Sequence, residues 1–226
     1  SGRLNTAKSF HFTYGRVEVR AKIPKGDWLW PAIWCYPQYE EYGGWPASGE
    51  IDIMEAEAML ATPVRQEEDL TLQDQLSLGP DYWENQYAKT HVEKSISSGT
   101  YADDFHTYGL YWDQKVLYTY IDNDTNRVLV VNHSDQSYWE RSGLTNNSFN
   151  PWQYSKNKNA PFDRPFYIIL NLAVGGTNGY FPDGVGNKPW SNGSPRAAQE
   201  FYNDNKGQWW PSWSDKSTFL IDSVKV

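Results

Sequence analysis

In several segments of the chain the apolar positions recur every second residue, the period of a half-buried β-strand. In "YGRVEVRAKIP" (residues 14–24), Val17, Val19, Ala21 and Ile23 alternate with Arg16, Glu18, Arg20 and Lys22, and Pro24 and Gly26 close the run. "WLWPAIWCYP" (28–37) is apolar on both parities, as expected of an inner strand. Residues 38–49 carry Gly43, Gly44 and Pro46 and read as a loop, and "EIDIMEAE" (50–57) returns to alternation. Residues 61–75 are polar and acidic and read as a surface loop. "DFHTYGLYWD" and "KVLYTYIDND" predict a hairpin about Asp113 and Gln114, with "RVLVVN" (127–132) as a further strand beyond a turn at 123–126. Residues 133–165, rich in Ser, Asn and Pro, read as a long loop. "PFYIILNLAVGG" (165–176) is a buried strand stopped by two glycines, and "STFLIDSVKV" (217–226) is a closing strand. Between them, residues 177–215 read as loop with one short helix near 194–204. Many short strands, almost no helical period and no repeat or linker predict one all-β sandwich domain over residues 1–226.

The stretch "GEIDIMEAE" (49–57) poses the sharpest problem. Glu50 and Asp52 share one strand face, and Ile51 and Ile53 share the other. Strict alternation would then expose Met54 beside the acids and bury Glu55 with the isoleucines, which is costly for a carboxylate. One extra residue, a β-bulge at Ile53–Met54, returns Glu55 to the face of Glu50 and Asp52. A solvated acidic face is one explanation of three like charges side by side. A cation site is another, although such sites usually draw oxygens from a loop that can wrap the ion. A rigid strand between Trp-rich segments better suits paired carboxylates for glycoside cleavage, one ionised and one held protonated by burial and by its neighbours' charge.

Composition narrows these choices. The net charge of −8 disfavours nucleic acid and anionic membrane as partners and is compatible with a neutral substrate. The 12 Trp, 16 Tyr and 9 Phe exceed what a β-rich core needs, so a minority are expected to line a groove where flat rings meet sugar faces. The single cysteine, Cys35, excludes an internal disulfide and reads as a buried thiol or as half of a bridge to sequence outside this chain. Sequons at Asn123, Asn132, Asn146 and Asn192 are compatible with a secreted, glycosylated protein. No signal peptide and no long apolar run is visible.

"GWPASGEIDIMEAE", with "YGRVEVRAKIPKGDWLWPAIW", "DDFHTYGLYW", "FYIILNLAVGGTNGYFPDGVGNKPWSN" and "IDSVKV", resembles glycoside hydrolase family 16, nearest its laminarinase-like β-1,3-glucanases and the related animal β-1,3-glucan-binding proteins. These segments cover most of the chain in the family's order. The resemblance implies a β-jelly-roll sandwich of two antiparallel sheets with a concave groove, and retaining endo-hydrolysis of β-1,3-glucan. By position it implies Glu50 as nucleophile, Asp52 as its assistant and Glu55 as acid/base. Retention requires the two glutamate carboxyls roughly 5–5.5 Å apart. Trp30, Trp34 and Trp45 match aromatic positions of the family's groove, Trp45 being the first choice for sugar contact, and Asn171 matches a polar position at its floor. His106 reads as a structural histidine.

Three departures qualify the resemblance. The strands that usually precede "SGRLNTAKSF" are absent, which implies a fragment or a second chain that completes the sandwich. Ser77 and Leu78 stand where relatives often carry His–Trp, which implies weakened activity. An acidic insert replaces the Arg-Gly-Asn that often follows the catalytic strand. No cofactor is required for the chemistry. The family often holds a structural Ca²⁺ through an Asp near the C-terminus, here Asp222, but its N-terminal partner residues are missing, so the metal is left open. Three functions are therefore carried forward: an endo-β-1,3-glucanase, a β-glucan-recognition module without turnover, and an assembly protein that reuses the fold.

Overall fold

The computed structural model describes residues 1–56, 90–95, 99–143 and 149–226, and residues 72–77 through their backbone pairing. Glu57, Leu78 and Asn146 lie outside the described residues.

The strands assemble into two antiparallel sheets. The first has six strands in the order β1 (Gly2–Asn5), β10 (Phe166–Val174), β3 (Leu29–Pro37), β4 (Glu50–Ala56), β5 (Leu72–Ser77) and β6 (His91–Lys94). The second has five, in the order β11 (Leu220–Lys225), β2 (Gly15–Lys22), β7 (His106–Trp112), β8 (Val116–Ile121) and β9 (Arg127–Asn132). The sheets stack through their apolar faces, as the alternation predicts. Val17, Val19 and Ala21 of β2, with Leu110 and Trp112 of β7, meet Ile33 and Cys35 of β3, Ile51 and Met54 of β4, and Phe166 and Ile168 of β10 in one buried cluster. This is the all-β sandwich expected from the sequence, with the doubly apolar β3 in the middle of its sheet. Cys35 is the buried thiol of the two readings.

Turn chemistry sets the register at the β7–β8 hairpin. The Asp113 carboxylate accepts from the backbone N–H of Lys115 at 2.6 Å and of Val116 at 2.8 Å. Farther along the hairpin, Gly109 has no room for a side chain, because a Cβ there would collide with the ring of Tyr120, its partner across the strands.

Three expectations need correction. Residues 72–75 are not loop but the start of β5, paired with β4, and 61–71 lie outside the described residues. The long loop 133–165 contains a helix, α1 (Tyr138–Ser142), closed by a Ser137–Glu140 capping box and a left-handed Gly143. Five residues are too few to show a helical period, although the S-x-x-E signal was present. Residues 2–5, where the sequence pattern predicts no strand, form β1. The short helix expected near 194–204 is found as Ala197–Gln199 running into a wider π-type turn, Glu200–Asp204. It packs over a second apolar cluster of Trp28, Phe181, Trp190, Ala197 and Trp209.

Candidate active site

The bulge exists, and Ile53 is the extra residue. Against β3, Met54 pairs with Ile33 and Asp52 with Trp34, which leaves Ile53 unmatched. Against β5, Asp52 opposes Gln75 and Glu55 opposes Gln73, so two residues of β4 face one of β5. Ile51, Ile53 and Met54 are all buried, at 0–2% exposure. The bulge therefore lets Met54 join the core and returns Glu55 to the acids' face, where Glu50, Asp52 and Glu55 line one cavity of about 480 Å³.

That cavity crosses four adjacent strands on the sheet face opposite the core. Trp30, Ala32 and Trp34 come from β3, Asn171 and Ala173 from β10, and Arg3 from β1. The register explains the grouping: Ala32 is opposite both Glu55 and Asn171, and Asn171 is opposite Arg3. The volume suits a ring-sized group with its neighbours rather than a buried small ion.

Two indole N–H groups are committed inside the cavity. Trp30 Nε1 donates to Glu55 Oε1 at 2.8 Å, and Trp34 Nε1 donates to Asn171 Oδ1 at 2.7 Å. One face of Trp30 is covered by Tyr180, stacked at 3.6 Å between centroids and 4° between planes. The Arg3 guanidinium lies 4.9 Å over the Trp34 ring. Both rings are thus fixed before any ligand arrives.

The electrostatics separate the acids. Burial pushes the Glu55 carboxyl up to about 7, the Trp30 hydrogen bond pulls it down, and the negative charge of Glu50 adds to the rise. Glu55 is thus a carboxyl that carries a proton close to neutrality. Asp52, between them in sequence, is 4% exposed. A buried carboxyl able to give and take a proton, a second glutamate and an aromatic wall equip this cavity for acid–base and nucleophilic work on a neutral, hydroxyl-rich ligand.

The cavity brings together six of the seven residues singled out in the sequence: Glu50, Asp52, Glu55, Trp30, Trp34 and Asn171. Trp45 is the exception. It is half-exposed in the loop before β4 and does not line the cavity, because that loop turns off the strand before Glu50. Sequence reasoning missed Arg3 and Tyr180. The four-residue β1 is too short for its alternation to show, and the Tyr180–Trp30 contact joins residues that lie far apart in the chain. His106 is structural, as expected, with Nδ1 2.8 Å from Asp122 Oδ2.

Asp222 is ion-paired with Arg20 at 3.3 Å, and among the described residues no three His, Cys, Asp or Glu side chains gather to hold a metal. No described helix is long and apolar enough to cross a membrane.

Comparison with known proteins places this geometry. The family profile of glycosyl hydrolases family 16 matches residues 1–161. The chain is 45% identical, over its full length and 62% of the relative's, to a "Beta-1,3-glucan-binding protein" of Penaeus monodon. It is 36% identical, over 78% of its length and 22% of the relative's, to "Glucan endo-1,3-beta-glucosidase A1" of Niallia circulans. Among solved structures, the laminarinase of Rhodothermus marinus superimposes with a TM-score of 0.54 at 32% identity, covering 78% of this chain and 61% of that one. The catalytic domain of the Thermotoga petrophila laminarinase gives 0.57 at 25% identity, over 98% and 66%. The chain spans less than two thirds of the length of these curated relatives. A profile that takes in most of the chain, and with it the acidic strand and the β1 and β3 residues of the cavity, establishes that the chain belongs to glycosyl hydrolase family 16.

Proposed function

We propose that the chain is a retaining endo-hydrolase of β-1,3-glucan, and that one observation carries this reading: the bulge at Ile53 puts Glu50 and Glu55 in one cavity while burial keeps Glu55 protonated up to about pH 7. In the first step the Glu50 carboxylate attacks the anomeric carbon. The Glu55 proton passes to the glycosidic oxygen, the C–O bond to the leaving sugar breaks, and a glycosyl ester forms on Glu50. In the second step Glu55, now ionised, takes a proton from water as that water attacks the same carbon, which restores the Glu50 carboxylate. Asp52 assists by holding the nucleophile in place. Trp34, Asn171 and the uncovered face of Trp30 bind sugar. No cofactor enters these steps. The protein acts outside the cell, where β-glucan polymers are met, and the exposed sequon residues Asn123 and Asn132 are available for glycosylation there.

A second reading, β-glucan recognition without turnover, is favoured by the names of several relatives, including the 45%-identical protein of Penaeus monodon and a 31%-identical one of Tenebrio molitor. The retained acids favour turnover over it. Reducing-end release from laminarin, measured beside laminarin affinity, separates the two. Hydrolysis that the Glu50→Gln variant abolishes supports the hydrolase. Binding without release supports recognition, and hydrolysis equal in both proteins refutes the assignment of Glu50.

A further inference from the structure

The hydrogen bond from Trp30 to Glu55 depends on the plane in which the indole is held. Nothing in β3 alone fixes that plane, since the ring stands on the outer face of the sheet. Tyr180 supplies the constraint by lying flat against it. We propose that Tyr180 is a positioning residue for the acid/base carboxyl, clamping Trp30 so that its N–H meets Glu55; this rests on the reading of Glu55 as the proton donor.

The clamp is anchored rather than incidental. Tyr180 sits in the segment that leaves β10 through Gly175 and Gly176, whose φ values of +60° and +136° suit glycine. The next residue, Phe181, is buried and meets the Tyr180 ring edge-on at 5.3 Å and Trp28 edge-on at 5.4 Å. The Lys188 ammonium, its side chain fully buried, donates to Phe181 O at 2.9 Å, Asp183 Oδ1 at 2.6 Å and Asn192 Oδ1 at 2.6 Å. Trp190 Nε1 donates to Gly176 O at 2.7 Å. The loop therefore presents Tyr180 from a base with its own core, and one indole links that base to the carboxyl.

Among the described residues, the charged groups that face Glu55 are few. Glu50 and Asp52 lie on its own strand, and Arg3 on β1 lines the same cavity. The facing residues of β3 and β10, Trp30, Ala32, Trp34, Asn171 and Ala173, do not ionise, and the β5 residue in register with Glu55 is Gln73. The Trp30 N–H is thus the neutral group with most leverage on the carboxyl, and it stabilises the ionised form. Losing it moves the Glu55 titration upward by about one pH unit.

The test is a ¹³C carboxyl NMR titration of the full chain, with the Glu55 signal assigned by its loss in Glu55→Gln. Tyr180→Ala is expected to raise the midpoint by about one pH unit, Trp30→Phe to raise it as much or more, and Tyr180→Phe to leave it at the wild-type position, because the phenyl ring keeps the stack. A Tyr180→Ala midpoint that stays in place or falls overturns the proposal, as does a Tyr180→Phe midpoint that moves with Tyr180→Ala. The titration needs no turnover, so it still reports on the clamp if laminarin is not cleaved and the hydrolase reading fails. Where laminarin is cleaved, the alkaline limb of kcat is expected to follow the midpoint. Should Tyr180→Ala not fold, Tyr180→Leu removes the flat ring with less loss of volume and is held to the same outcome.

Discussion

Replacing Glu55 by Gln is expected to stabilise the protein at alkaline pH while it destroys hydrolysis. The Glu55 carboxyl titrates at about 7 in the folded chain against an ordinary value of 4.5. Below pH 4.5 it is protonated in both folded and unfolded chains and costs nothing. Between the two values the unfolded chain ionises and the folded chain does not, so stability falls as pH rises and levels off above about 7. At 1.36 kcal/mol for each pH unit, the full loss is on the order of 3 kcal/mol. Glutamine fills the same space, keeps a carbonyl oxygen for the Trp30 N–H and cannot ionise, so it escapes that loss. Urea unfolding at pH 4.5 and pH 8 reads the difference: the two proteins should match at the lower pH, and the variant should be more stable by on the order of 3 kcal/mol at the higher. For a chain of this size that is a rise in Tm of about 6–12 °C. Hydrolysis should fall by roughly 10²–10⁴, the usual worth of a general acid. A variant no more stable than wild type at pH 8, or equally stabilised at both pH values, would refute the view that Glu55 is held protonated by burial.

Glu50→Gln removes the negative neighbour and should lower the Glu55 midpoint, seen as an earlier alkaline limit in the same stability profile. Deleting Ile53 removes the bulge and leaves Glu50, Ile51, Asp52, Met54 and Glu55 in strict alternation, so Glu55 should keep the acids' face and the variant should fold and retain measurable hydrolysis; a folded deletion with no hydrolysis would contradict the register argument. Asn171→Ala leaves the Trp34 N–H without its acceptor and should cost about 1 kcal/mol in unfolding experiments, with a higher KM for laminarin. Gly109→Ala forces a methyl against the Tyr120 ring and should destabilise by about 1–3 kcal/mol or more without changing the activity of the protein that remains folded.

How far the site can be read from sequence follows from how local its causes are. The bulge is legible because Glu55 and Met54 break the alternation that Glu50, Ile51, Asp52 and Ile53 set up, and only an added residue satisfies both burial and charge. The inner position of β3 is legible for the same reason, since its residues are apolar on both parities. Trp30 and Trp34 can be picked out as cavity residues, but not the use of their N–H groups. Those bonds depend on Glu55 and Asn171 arriving from the strands on either side, and registers between distant segments leave no mark in either one. Tyr180 is hidden more deeply, because its place depends on a loop folded around buried Lys188. Trp45 stands half-exposed in the loop before Glu50 and outside the cavity, a placement set by the turn before β4 that the sequence does not display.

The central claim is that Glu50 and Glu55 cleave β-1,3-glucan through a covalent glycosyl ester. Time-resolved ¹H NMR of laminarin digestion tests it most directly, by recording the anomeric signal of the new reducing ends before mutarotation mixes them. Two displacements at one carbon predict that the β-anomer appears first. An α-anomer formed first, or laminarin bound and left uncut, would contradict it.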